Sequence, residues 1–195
     1  MSMEQKTKTL AEKQKTPLKQ KLIPLIMLVL TIIADQGTKQ LVVKNIPQAT
    51  IFSNAEESVV PVIGSFLQFI HVRNNAVAFS IGSGLSQSLR TILFSFIPLI
   101  LILLVLVVYF RNNDFTKLQR WSICGIMGGG LGNLIDRFFR PQGVVDFIDV
   151  YFPIYFPSKR WPTFNVADSV IVVCGIILVL SFIVHEVKSR RNKNV

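Results

Sequence analysis

"TILFSFIPLILILLVLVVYF", residues 91–110, contains no charged side chain over twenty residues. As an α-helix it would be roughly 30 Å long, the thickness of the hydrocarbon core of a bilayer. Its one proline, Pro98, is tolerable where neighbouring helices satisfy the freed backbone groups. Three further apolar stretches flank it, at about 21–43, 119–137 and 165–187, and with it (span 89–110) they predict four membrane-crossing helices. The chain as a whole is 50% hydrophobic and only 16% charged, where a soluble domain carries about 25% charge. The expected fold class is therefore an all-α membrane protein, a bundle of four transmembrane helices. "SFLQFIHV" (65–72) follows a Pro/Gly-punctuated "VVPVIG" and adds a small β-rich extracytoplasmic segment. The proline- and aromatic-rich residues 138–164 read as a membrane-surface or re-entrant loop.

The net charge of +10 points to topology rather than to nucleic acid, because of where the charges sit. Lys6, Lys8, Lys13, Lys15, Lys19 and Lys21 precede the first span. Arg111, Lys117 and Arg120 lie between the second and third, and Lys188, Arg190, Arg191 and Lys193 follow the fourth. Each group abuts an apolar run on what would be the same side, which places both termini in the cytoplasm. Residues 1–20 form a basic, disordered tail, 21–188 one four-helix transmembrane domain, and 189–195 a second basic tail. Residues 21–43 exceed the apolar core of a cleavable leader and lack a small-x-small site, so the first span is retained. Cys124 and Cys174 both fall inside spans and read as buried free thiols rather than a disulfide framework.

Helix 119–137 carries "CGIMGGGLGN" (124–133). Gly125 and Gly129 are four apart, as are Gly128 and Gly132, so each pair lies on one helix face and permits close backbone approach. No Lys-Ser/Thr follows these glycines, which argues against a phosphate-binding loop.

Three aspartates stand inside the predicted spans. With a rise of about 1.5 Å per residue, Asp35 lies roughly 21 Å beyond Lys21, Asp136 roughly 24 Å beyond Arg120 and Asp168 roughly 30 Å from Lys188. All three reach the layer near the outer face of the hydrocarbon, and Asp146 on the outer connection can join them. Asn133 and Asn165 occupy the same layer. Individually, Asp136 could simply pair with neighbouring Arg137, and Asn165 could cap the last helix with Asp168 in its first turn. Together they form a candidate site, since ionisable groups at membrane depth are costly. The two histidines, His71 and His185, fall apart from each other, and no His/Cys cluster offers zinc ligands. Two carboxyls sharing a site hold one proton between them, so one can activate water while the other donates to a carbonyl oxygen.

"ADQGTKQLV" (34–42), "RNNAVAFS" (73–80), "GNLIDR" (132–137), "VVDFI" (144–148) and "FNVADS" (164–169) stand in the order and context of lipoprotein signal peptidases, the bacterial type II signal peptidases. The resemblance runs from Lys21 to Lys188. It implies a four-helix aspartyl endopeptidase of the bacterial cytoplasmic membrane that removes signal peptides from prolipoproteins, cutting before a diacylglyceryl-modified cysteine. It further implies that Asp146 and Asp168 are the catalytic pair. Asp35, Lys39, Asn74, Asn133, Asp136, Arg137 and Asn165 would bind substrate or support the site. It implies neither metal nor other cofactor, partners limited to lipid-modified prolipoproteins and membrane lipids, and action as a monomer. The chain departs from the family at Ala76, where a glycine is usual. A proton-coupled transporter and a magnesium-dependent lipid phosphotransferase are the rival readings of clustered aspartates.

Overall fold

The computed structural model describes residues 16–49, 58–74, 86, 89, 92–153 and 160–193. The basic tail through Lys15, Ala76 within 75–85, and Phe156 of the aromatic connection lie outside them. The protein is mostly helical, with one small antiparallel sheet. A short helix α1 (Leu18–Leu22) precedes α2 (Leu25–Asn45), so the first expected span is interrupted. The break is at Pro24, which supplies no N–H to the preceding turn and instead starts α2. A π-helical turn at Ile92–Phe96 leads into α3 (Ile97–Arg111), with Pro98 in the first turn. Helix α4 (Lys117–Phe139) opens on a capping box: Thr116 Oγ1 accepts from Gln119 N, and Gln119 Oε1 accepts from Thr116 N. Helix α5 (Val166–Lys193) ends the described chain. Of these, Ile92–Arg111 and Val166–Arg191 are long and apolar enough to cross a membrane.

Helix α4 is the centre, and its glycines are the reason. A Cβ on Gly128 would lie 2.8 Å from the Leu28 carbonyl oxygen, and one on Gly132 would lie 2.6 Å from Asp35 Oδ2, both on α2. A Cβ on Gly125 would meet Cys174 Sγ at 2.5 Å, and one on Gly129 would meet the Ala167 carbonyl oxygen at 2.6 Å, both on α5. Each pair of glycines four apart thus seats a different neighbouring helix, at distances no larger residue would permit. The two cysteines are free and buried, as expected.

The polarity runs inside out. Asp35, Lys39, Asp136 and Asn165 are completely buried, whereas Leu104 and Leu101 on α3 and Val172 and Ile176 on α5 are more than half exposed. An apolar mantle over a charged interior suits hydrocarbon surroundings and would be unstable in water.

The sheet corrects the sequence reading in one respect. β1 (Val59–Ile63) and β2 (Leu67–Asn74) form the expected β-rich segment, joined by a turn with Gly64 at φ +50°. A third strand, β3 (Val144–Val150), comes from the stretch expected to be a loop, and it pairs antiparallel with β2 in the order β1-β2-β3. Val145 and Phe147 pack on Val42 and Ile46 at the end of α2, which locks the sheet onto the bundle. The register places Val72 opposite Asp146 and Asn74 opposite Val144.

Candidate active site

Helix α5 begins with Asn165 at its N-cap. Asp168 N donates to Asn165 Oδ1 at 3.0 Å, and Asn165 N donates to Asp168 Oδ2 at 3.1 Å. This is a reciprocal capping box with Asn and Asp in place of the commoner residues. The capping role expected of Asp168 is therefore real, and it coexists with a place in the site. Its other oxygen, Oδ1, accepts from Asn133 Nδ2 at 2.8 Å. Asp146, on β3, accepts from Asn74 Nδ2 at 2.9 Å and from Asn165 Nδ2 at 2.7 Å. Each aspartate is thus held by two N–H donors, and Asn165 touches both. Asn165 Nδ2 also lies 3.1 Å from Asn133 Oδ1, closing the amides into a chain between the carboxylates.

Beneath them lies a buried ionic cluster. The Lys39 ammonium stands 2.8 Å from Asp35 Oδ2 and 3.0 Å from Asp136 Oδ2, all three side chains fully buried. It also donates to Asn133 Oδ1 at 2.9 Å. The two carboxylates reach upward to the backbone: Ala167 N donates to Asp35 Oδ1 at 3.0 Å, and Val145 N donates to Asp136 Oδ2 at 3.1 Å. Those are the residues immediately before Asp168 and Asp146. The four charges of Asp35, Asp136, Lys39 and Arg140 balance, Arg140 lying 3.2 Å from Asp136 Oδ1.

The nine residues singled out in the sequence therefore come together, with one correction. Arg137 is not the partner of Asp136. Its guanidinium NH1 donates to the Phe94 carbonyl at 2.8 Å and lies over the Phe94 ring, 5.6 Å from its centroid. Pro98 explains this contact: it lacks the N–H that would bond the carbonyl four residues earlier, and that carbonyl is Phe94. Two participants escaped the sequence reading. Gln36 Nε2 donates to Asp35, Asp136 and the Gly132 carbonyl. Arg140 completes the charge balance. Trp161, from the aromatic stretch expected to line the substrate's path, lines the cavity. Gln36 and Arg140 carried a usable signal, since each lies about one turn or less from a singled-out acid on the same helix.

A cavity of about 700 Å³ opens on this site. Asn74, Asn133, Arg137, Asp146 and Asp168 form its polar end, and Trp161, Phe164, Ile171, Val172 and Val173 continue it as an apolar groove along α5. Burial pushes the Asp146 carboxyl up to about 6; the hydrogen bond from Asn74 opposes the rise and the Asp168 charge adds to it. Asp146 therefore keeps its proton to a higher pH than an ordinary carboxyl does. Among the described residues, no group of three His, Cys, Asp or Glu side chains is arranged to hold a metal ion.

Known proteins resemble this chain over most of its length. The family model described as signal peptidase (SPase) II matches residues 27–184. The lipoprotein signal peptidase of Treponema pallidum (strain Nichols) is 48% identical over 168 residues, covering 86% of this chain and 87% of that protein. The lipoprotein signal peptidase of Treponema denticola is 44% identical over 172 residues, covering 88% and 95%. Among solved structures, a bacterial membrane enzyme superposes with a TM-score of 0.67 at 26% identity, covering 83% of this chain and 89% of that one. The chain belongs to the signal peptidase II family.

Proposed function

We propose that this protein is an aspartyl endopeptidase of the bacterial cytoplasmic membrane. It removes signal peptides from lipid-modified prolipoproteins, with Asp146 and Asp168 as the reacting pair. The observation that carries the reading is the convergence of these two carboxylates, each fixed by two N–H donors, at the polar end of an apolar groove. In the first step the Asp168 carboxylate takes a proton from water as the oxygen bonds to the scissile carbonyl carbon. Protonated Asp146 gives its proton to the carbonyl oxygen, and a gem-diol forms. In the second step a gem-diol hydroxyl returns its proton to Asp146, Asp168 protonates the amide nitrogen, and the C–N bond breaks. Both carboxyls then stand as they began. The N-terminus of α5 favours the negative charge on Asp168.

The four long helices are read as four spans, with both termini cytoplasmic and the sheet on the outer surface, the protein acting as a monomer. A signal peptide would lie beside the bundle, and the diacylglyceryl chains of the residue after the cut would enter the groove. Each CH₂ buried there contributes about 0.8 kcal/mol, which holds the scissile bond at the depth of the pair. The rival readings fit less well. The Lys39 ammonium occupies the space between Asp35 and Asp136, and the other two acids, Asp146 and Asp168, face one cavity instead of lining a path. The test is cleavage by the purified protein of one prolipoprotein in lipidated and unlipidated forms, with and without EDTA. The lipidated form should be cut at the same rate in EDTA, the unlipidated form very poorly, and neither by Asp146→Asn or Asp168→Asn. Turnover by either variant above background overturns the assignment of the pair, and equal rates on both substrates overturn the role of the lipid.

A further inference from the structure

Lys39 touches neither Asp146 nor Asp168, yet hydrogen-bonded routes to both begin at its ammonium. An ammonium can donate and cannot accept. It therefore admits only the oxygen of the Asn133 amide, at 2.9 Å, and turns the Nδ2 end of that amide toward Asp168 Oδ1, at 2.8 Å. The same Asn133 oxygen, 3.1 Å from Asn165 Nδ2, joins the Asp168 N–H on Asn165 Oδ1 in presenting the nitrogen end of Asn165 to Asp146 Oδ1, at 2.7 Å. Two more routes run through carboxylates. Lys39 holds Asp35, which fixes the Ala167 N–H beside Asp168; it also holds Asp136, which fixes the Val145 N–H beside Asp146.

We infer that Lys39 is a positioning residue: its ammonium anchors the oxygen end of Asn133 and, with the Asp168 N–H that Asn165 Oδ1 accepts, keeps N–H groups and not oxygens facing both aspartates. The inference rests on Asp146 and Asp168 being the reacting pair. A purely structural ion pair would require only that the buried charges balance. Direction-setting requires a group at that point which cannot accept. With Lys39 replaced by an apolar residue, Asn133 Oδ1 loses its charged donor, and only Asn165 Nδ2 still holds that end of the amide, so the Asn133 N–H is placed less firmly against Asp168.

The two roles separate in a charge-balanced variant. Lys39→Met alone leaves an uncompensated buried carboxylate and is expected to lose stability. Lys39→Met/Asp136→Asn restores the balance, and the amide introduced in place of the Asp136 carboxylate can keep an oxygen where Val145 N–H now bonds. The double variant should regain most of the lost thermal stability. Its kcat on the lipidated substrate should stay about 100-fold below the parent, the effect of misplacing a reacting group by about 1 Å, with KM within about threefold. Return of kcat to within about threefold of the parent would mean that Lys39 only neutralises charge. Asn133→Asp serves as a second variant, since it keeps the Lys39 contact and replaces the donor to Asp168 by an oxygen. It adds a buried carboxylate beside Asp168 and is expected to lose stability, and its folded fraction should lose kcat to a similar extent; near-parental kcat overturns the inference. Asp146→Asn and Asp168→Asn are assayed alongside. If they turn over, the pair itself is misassigned; if they are inactive while the Lys39 double variant is fully active, only the role of Lys39 falls.

Discussion

Gly129 offers a direct test of how helix packing sets the site. A Cβ there would lie 2.6 Å from the Ala167 carbonyl oxygen and 2.7 Å from Ile171 Cγ1. The first distance is 0.8 Å shorter than the 3.4 Å at which ordinary contact begins. A backbone oxygen cannot rotate out of the way, so in Gly129→Ala helices α4 and α5 must part by nearly that amount. The displaced residue precedes Asp168, whereas Asn133, which donates to Asp168, stays with α4. Overpacking of this kind costs about 1–3 kcal/mol, offset by up to about 1 kcal/mol of improved helix propensity. A net loss of about 1–2 kcal/mol is expected. The rate should suffer more, because a displacement approaching about 1 Å can lower kcat about 100-fold. Gly175→Ala on α5 is the control, since nothing lies within 4 Å of its built Cβ; it should leave kcat unchanged and stability unchanged or slightly raised. Thermal unfolding and saturating rates on lipidated substrate, in one detergent, measure both effects. If Gly129→Ala matches Gly175→Ala in both, close approach at α4 does not position the pair.

Three other outcomes follow from the structure. The raised Asp146 value of about 6, against an ordinary 3.8, means the folded protein binds this proton more tightly than the unfolded chain. Stability from this group is thus gained as pH falls from above about 6 toward about 4, and is lost as pH rises through that window; Asp146→Asn should raise the unfolding temperature at about pH 8 by an increment that shrinks toward about pH 4, and an unchanged increment refutes the assignment. Arg120 is almost fully buried at the other end of α4, donates to the Tyr109 and Asn112 carbonyls and lies over the Tyr109 ring. Arg120→Met should cost about 2–3 kcal/mol while sparing kcat of the folded fraction, since Asn133 is roughly 20 Å further along the helix. Finally, an impermeant thiol reagent added outside the cell should label Ser65→Cys in the β1–β2 turn and not Asp114→Cys in the α3–α4 connection; the reverse pattern would invert the proposed topology.

Sequence reading went furthest where the cause is local. Apolar length marked the long helices, because burying a helix in hydrocarbon requires composition and little else. Glycines four apart identified two packing faces of α4, because helical periodicity alone puts them there. The spacing of Asn165 and Asp168 identified a helix cap for the same reason. β3 was missed: its first four residues are all buried, so Val144–Phe147 shows an apolar run interrupted by Asp146 with no alternation to mark a strand. Its pairing partner, β2, lies some seventy residues earlier.

The position of each acid along its helix was calculable from helical rise, and the acids do come together in one connected cluster. Rise along an axis leaves two quantities open: the rotation of each helix about that axis and the direction of each amide. Only the packed structure decides these, through contacts between α2, α4, β3 and α5. Rotation sends Asp136 to Lys39 and Arg140 and turns Arg137 away to the Phe94 carbonyl that Pro98 leaves free. Amide direction then follows from the buried Lys39 ammonium at Asn133 and the Asp168 N–H at Asn165, which donate and cannot accept. The chain's composition therefore determines that its carboxylates lie deep in an apolar protein. Their division into two held by Lys39 and two facing the cavity arises from helix packing, because partners across a bundle are chosen by rotation and not by sequence distance.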